Sequence, residues 1–373
     1  MNYYIIAGET SGDLHGANLI HALKQEDPEA SFRIVGGDEM QKEASETPIL
    51  HTSEMSFMGF IEVLANISTV LKNLKKIKAD LLENRPDALI LIDFPGFNLK
   101  IAEFAKTQGI KVFYYISPKV WAWNQKRVLK IKKVVDHLFC ILPFEVDFYK
   151  KWGMEVDYVG NPLLDALSKN EIDPNFRTKN GFNNKPIVAL LPGSRKMEIS
   201  KLMPLMVQVS AKFPTHQFVI AGAPNFSEAY YQQFLNRQKI PVVFDATYDL
   251  LMNADAAIVA SGTATLETAL LRVPEVVVYK ANALSVWIAR KLVKIRYISL
   301  VNLIMDSLVV QELIQDHYNE ENVHKELDRL LNDKAYRERM LQNYDALINA
   351  IGEVGASERT AKLIVNYLSS SLK

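Results

Sequence analysis

Asp93 ends the apolar run ALILID, and FPGFN follows at once, where Pro95 and Gly96 impose a turn. A carboxylate at the tip of a buried strand has apolar neighbours. Such burial raises its pKa and makes it a usable general base; capping the helix expected from NLKIAEFAK is the alternative use of the same group. Two other strand ends carry a different chemistry. LLPGSR places Gly193, Ser194 and Arg195 just past one apolar run, and ASGTATLE places Ser261, Gly262 and Thr263 between another run and a helix start. Backbone N–H groups at a helix N-terminus hold phosphate oxygens, and Arg195 adds a two-pronged contact. Glu267 lies one helical turn beyond Thr263 on roughly the same face, where a carboxylate can accept both hydroxyls of a ribose. Taken alone, SGT reads equally well as a plain cap; with PGSR one strand set earlier, the pair reads as a site for a nucleoside diphosphate.

The N-terminal AGETSGDLHG spaces Gly8, Gly12 and Gly16 four apart, which is not the GxGxxG dinucleotide fingerprint. No acid closes the second strand, so a nicotinamide cofactor is disfavoured. The glycines let a substrate phosphate or sugar approach the backbone. Further on, SPKVWAWNQKRVLKIKK carries Trp121 and Trp123 beside Lys126 and Arg127, without one acid. Two other stretches pair apolar anchors with cations: Phe57, Met58 and Phe60 ahead of Lys72 to Lys78, and Trp287 with Arg290. That combination suits an anionic, lipid-like interface, although ordinary core aromatics beside a solvated basic face are the commoner case.

The elements that must position these groups are legible as alternation. Apolar runs at 3–8, 32–37, 88–93, 111–117 and 137–143 alternate with amphipathic stretches, and the pattern restarts at 187–195, 217–222, 242–246, 256–262 and 275–280. Continuous apolar strands between helices predict parallel sheets covered on both faces. Residues 168–186 are polar and read as a linker, and beyond about residue 321 only helical patterns remain. The expected fold is α/β: two tandem Rossmann-like, doubly wound domains, 1–167 and 187–349, with a helical C-terminal tail. Ligands of such sheets sit beyond the carboxyl ends of the strands, which makes a cleft between facing domains the expected site.

Composition narrows the partners. The 373 residues carry 43 basic and 43 acidic side chains, so a nucleic-acid binder with a basic footprint is disfavoured. Cys140 is the only cysteine, which excludes an internal disulfide and a Cys-based zinc site. The seven histidines show no HxH or HExxH spacing, so no metal is expected. No run approaches the ~18 apolar residues of a membrane span, and MNYYIIAGETSGD has no signal-peptide pattern; a cytoplasmic location is expected.

AGETSGDLHGANLI, SPKVWAWNQKR, LLPGSR and SGTATLE, in this order and spacing, resemble lipid-A-disaccharide synthase, a family of inverting GT-B glycosyltransferases. The resemblance runs to about residue 315. It implies UDP-2,3-diacylglucosamine as donor, 2,3-diacylglucosamine 1-phosphate (lipid X) as acceptor, and no cofactor or metal. It also implies a peripheral place on the inner face of the cytoplasmic membrane, frequent dimers, and a C-terminal helix, about 350–373, completing the first domain. Asp93 matches the family's proposed catalytic base. Glu9 and Ser11 match its first glycine loop; with Gly12, Trp121, Lys126 and Arg127 they are expected on the acceptor side. Arg195, Glu267 and Asn302 match positions near the UDP. Phe57, Met58, Phe60, Trp287 and Arg290 are expected at the acyl chains or membrane. Asn161 stands where many members carry His, and Gly96 where many carry Asp. Two rival readings use the same features: a UDP-GlcNAc epimerase on this fold, and a non-catalytic two-lobed protein that binds a phosphorylated ligand.

Overall fold

The computed structural model describes residues 1–55, 67–282 and 295–371. The chain divides into two compact units, Met1–Asp165 with Glu353–Lys373, and Ala166–Gly352.

The first unit is built on a six-stranded sheet in the order β2-β1-β3-β4-β5-β6. Its strands are β1 (Asn2–Ala7), β2 (Ser31–Val35), β3 (Ala88–Ile92), β4 (Lys111–Tyr115), β5 (His137–Cys140) and β6 (Asp157–Tyr158), and all the pairings are parallel. Side chains alternate across the strands and sort into two cores. Tyr4, Ile6, Leu89, Leu91, Val112, Tyr114 and Leu138 face one side. Tyr3, Ile5, Ala7, Ile90, Ile92, Phe113, Tyr115 and Phe139 face the other. Both faces being buried explains why these strands read as unbroken apolar runs.

On the first face lies the helix Ile67–Asn84, which buries Leu74, Ile77 and Leu81, one stripe at helical spacing. On the second lies the helix Thr10–Glu26. Its glycines serve packing: a Cβ on Gly12 would stand 3.3 Å from the Ala7 Cβ, and one on Gly16 2.5 Å from the Met40 sulfur. What approaches the backbone closely here is therefore the protein's own sheet and Met40. The C-terminal helix Ala356–Ser371 lies on this face too, contributing Ala361, Ile364 and Leu368 to the core. Its first turn is capped from a distance. The Asp165 carboxylate accepts the backbone N–H groups of Gly355 (2.6 Å), Ala356 (3.4 Å) and Ser357 (3.3 Å). Arg359 adds donors to the carbonyls of Val159, Val354 and Glu353 at 2.8 Å each.

The second unit is built on a sheet in the order β12-β11-β10-β7-β8-β9. Its strands are β7 (Ile187–Leu191), β8 (Gln217–Gly222), β9 (Val242–Phe244), β10 (Ala256–Ala260), β11 (Glu275–Tyr279) and β12 (Gln311–Ile314). Ile187, Ala189, Leu191, Val219, Ala257 and Val259 form one core, while Val188, Leu190, Ile220 and Ile258 are buried on the alternate face. Residues 168–186 carry the helical turn Phe176–Lys179. Phe176 is buried in the Ile187–Val259 core, and Arg177 donates to Asn253 and to the carbonyls of Asn183 and Lys185.

Candidate functional site

In each unit one strand sits where the chain reverses its direction of travel across the sheet. In the first unit the reversal falls between β1 and β3, where Ala7 pairs with Ile92. In the second it falls between β7 and β10, where Leu191 pairs with Val259. Loops at such points part to either side and leave room for a ligand beyond the strand ends. Glu9 and Asp93 follow the first pair; Gly193–Arg195 and Ser261–Thr263 follow the second.

Asp93 leaves β3 with φ +44°, Phe94 follows at +49°, and Ile116, past the end of β4, sits at +63°. Three non-glycine residues in the left-handed region beside one another mark stored backbone strain, which concentrates at working sites. Hydrogen bonds hold it in place. The Asp93 N–H donates to the Tyr115 carbonyl at 3.1 Å, and the Asp93 carbonyl accepts from Asn98 Nδ2 at 2.8 Å and from the Tyr114 hydroxyl. The Phe94 ring fits only because Gly8 has no side chain, since a Cβ there would lie 2.3 Å from it. The following helix, Pro95–Thr107, begins after Phe94 as its N-cap, with no side-chain cap bond. Burial raises the Asp93 pKa; Lys119 opposes this, Glu9 reinforces it, and the Phe94 N–H opposes it. Glu9 is the N-cap residue of the helix Thr10–Glu26, and its carbonyl accepts the Asp13 N–H at 2.9 Å. Ser11 is exposed and Gly12 buried.

The Trp–Lys–Arg stretch divides in two. Trp121 is buried, packs edge-on against Phe144, and donates its Nε1 to Glu145 Oε1 at 3.0 Å. Trp123 is 48% exposed, with the Arg127 guanidinium 4.9 Å above its ring, and Lys126 is exposed. Glu145 was not singled out in the sequence. It accepts from Ser117 Oγ (2.5 Å), Trp121, Ile141 N (3.2 Å) and Leu142 N (3.0 Å). Burial pushes its pKa up to about 7 despite these four donors.

In the second unit Gly193 adopts φ +97°, and a Cβ there would lie 2.5 Å from Glu198 Oε2. Ser194 and Arg195 are exposed, and Arg195 stands 3.5 Å from Glu198. Gly262 is the N-cap residue of the helix Thr263–Leu270, with open space where a Cβ would lie. Ser261 ties this loop to the Ile298 carbonyl at 3.1 Å. Glu267 accepts the Tyr248 hydroxyl at 3.0 Å on one carboxylate oxygen. Burial raises its pKa and the Tyr248 bond opposes that. Asn302 is fully buried. Its amide donates to the Val310 carbonyl and Glu312 Oε1 and accepts the N–H groups of Val309 and Val310. Glu312 in turn accepts the N–H groups of Ile298 and Ser299, so Asn302 braces the segment to which Ser261 is tied. Phe57, Met58, Phe60, Trp287 and Arg290 lie outside the described residues. Among the described residues there is no cluster of His, Cys, Asp or Glu arranged for a metal, and no helix long and apolar enough to cross a membrane.

A partly buried carboxyl at one switch point is suited to taking a proton. A glycine loop, a helix N-terminus and a carboxylate one turn on are suited to a nucleoside diphosphate. The chain matches the family described as lipid-A-disaccharide synthetase over residues 3–364. A lipid-A-disaccharide synthase of Nitrosococcus oceani is 40% identical, with 98% of this chain and 95% of the relative covered. One of Trichlorobacter lovleyi is 38% identical, with 98% and 97% covered. In fold, the S. aureus MnaA–UDP co-structure superposes with a TM-score of 0.71 at 15% identity, covering 99% of this chain and 97% of that one. Two doubly wound sheets of the GT-B type and a full-length match of this strength lead to one conclusion: the chain belongs to the lipid-A-disaccharide synthase family and is a glycosyltransferase of lipid A biosynthesis.

Proposed function

We propose that the chain transfers the sugar of UDP-2,3-diacylglucosamine to the 6-hydroxyl of 2,3-diacylglucosamine 1-phosphate, with Asp93 as the base. The acceptor oxygen attacks the anomeric carbon as the bond from that carbon to the diphosphate breaks, and UDP leaves with the bonding pair. Asp93 takes the hydroxyl proton. One displacement inverts the centre and gives the β-1,6 disaccharide 1-phosphate. Gly193, Ser194, Arg195 and the Gly262–Thr263 helix start would hold the diphosphate, where donors aimed at departing charge contribute most. Glu267, steadied by Tyr248, would hold the ribose. The observation that carries this reading is the Asp93 carboxyl, set at a sheet's switch point with its proton affinity raised by burial. Membrane contact is supported in the first unit by the exposed side chains Ile67, Leu71, Trp123 and Leu129, and by the Arg127 guanidinium over the Trp123 ring.

UDP release from the diacylated donor, with and without lipid X, tests the reaction; release that needs lipid X is expected. Asp93→Asn should lower turnover about 100-fold or more while UDP still binds. The acid limb of the pH profile should lie above the ordinary aspartate range. Near-normal turnover of that variant would remove Asp93 from the role.

A further inference from the structure

The loop that carries Lys119 is fastened at three points to the helix Pro143–Lys151. Ser117 Oγ donates to Glu145 Oε1 at 2.5 Å, Trp121 Nε1 donates to the same oxygen at 3.0 Å, and the Tyr149 hydroxyl donates to the Pro118 carbonyl at 3.4 Å. The other oxygen of Glu145 is held by the Ile141 and Leu142 N–H groups, so the carboxylate cannot rotate. Ser117 and Trp121 bracket Lys119, an exposed residue between two buried ones, Pro118 and Val120. Upstream, the strained Ile116 and the bond from the Asp93 N–H to Tyr115 tie the same segment to the Asp93 turn. The charged and titratable groups acting on Asp93 or acted on by it are Lys119, Glu9 and Tyr114. Lys119 is the cation among them.

We propose that Glu145 is a positioning residue: through Ser117 and Trp121 it sets the loop that carries Lys119 beside the Asp93 turn. This rests on the reading of Asp93 as the base. Lys119 then limits how far burial raises the proton affinity of Asp93. That favours the ionised carboxylate, the form able to take a proton. A buried carboxylate is an expensive brace, and its use here is explained by the reach of two hydrogen bonds from one fixed oxygen to both ends of a five-residue turn.

The test follows the Asp93 carboxyl carbon by 13C NMR titration in the full chain, the signal being identified by its loss in Asp93→Asn. Lys119→Met should raise the Asp93 pKa by about half a unit or more, the size an opposite charge nearby supplies after solvent screening. Glu145→Gln should raise it in the same direction. Removing a negative charge by itself lowers a neighbouring carboxyl's pKa, so a rise reports the displacement of Lys119. In the Lys119→Met background, Glu145→Gln should add nothing. Ser117→Ala and Trp121→Phe each remove one donor, and they carry the test if Glu145→Gln does not fold. An unchanged Asp93 titration in the folded variants overturns the proposal, as does an equal shift with Lys119 already replaced. If the NMR pKa moves and the acid limb of kcat/KM stays fixed, the base assignment fails and the positioning role stands.

Discussion

Two buried glutamates show how much a carboxylate depends on its donors. Glu145 has four, and burial lifts its pKa only to about 7. Glu275, the first residue of β11, is fully buried, and neither of its oxygens has a hydrogen-bond partner among the described residues. Burial accordingly raises its pKa well above the usual range and favours the neutral side chain. The linkage then has a definite sign. Between the ordinary glutamate pKa of about 4.3 and the raised folded value, the unfolded chain binds fewer protons than the folded one. Stability contributed by the neutral form is complete below that window and is lost as pH rises through it. Glu275→Gln removes the ionisation and keeps the shape. We expect it to stabilise the protein at pH 8 and to make little difference at pH 4. Urea unfolding at the two pH values measures this, and a variant no more stable at pH 8 would show that Glu275 finds a partner when ionised.

At the scale of elements, the C-terminal helix shows why contacts distant in sequence decide so much. Ala356–Ser371 is amphipathic and easily read as a helix, yet nothing in its own residues names the strands it lies on. Asp165 does that, by accepting three backbone N–H groups at the helix start. Asp165→Ala should cost about 2 kcal/mol, combining a lost cap with donors left buried. It should speed amide exchange at Ala361, Ile364 and Leu368 before the rest of the first unit, and Asp165→Asn, which keeps one acceptor oxygen, should cost less. Equal exchange in Asp165→Ala and the unaltered chain would show the helix held by packing alone. The same physics marks the limit of sequence reading. β1, β3, β7 and β10 were legible because both their faces are buried and, the exposed Asn2 apart, their residues form unbroken apolar runs. β6, two half-exposed residues, and β12, which begins Gln-Glu, carry no such run. Residues 168–186 are polar enough to read as a linker, but the partner that fastens Arg177 is Asn253, far along the chain. The glycine loops and Asp93 could be placed because they follow legible strands. That the Trp121 indole turns inward to Glu145 could not be foreseen, since that bond joins residues 24 apart and leaves no local pattern.

For the molecule as a whole, the two sheets repeat one plan with different chemistry at the reversal. The first offers carboxyls, Glu9 and Asp93, in partly buried surroundings. The second offers backbone donors, Arg195, and a carboxylate braced by Tyr248. On the proposed reading, leaving-group recognition belongs to one unit and proton removal to the other, and the two should separate cleanly under mutation. Glu267→Gln exchanges a charged acceptor of the ribose hydroxyls for a neutral one. Hydrogen bonds to charged groups contribute about 1.5–3 kcal/mol, so UDP affinity measured by calorimetry should fall roughly 10-fold or more. Asp93→Asn should change UDP affinity less than about 2-fold, because catalysis by a base is expressed in the transition state and not in nucleotide binding. Tyr248→Phe should weaken UDP less than Glu267→Gln, having removed the brace and kept the carboxylate. Were Asp93→Asn to weaken UDP as strongly as Glu267→Gln, both carboxylates would serve the nucleotide, and the division of chemistry between the two sheets would be lost.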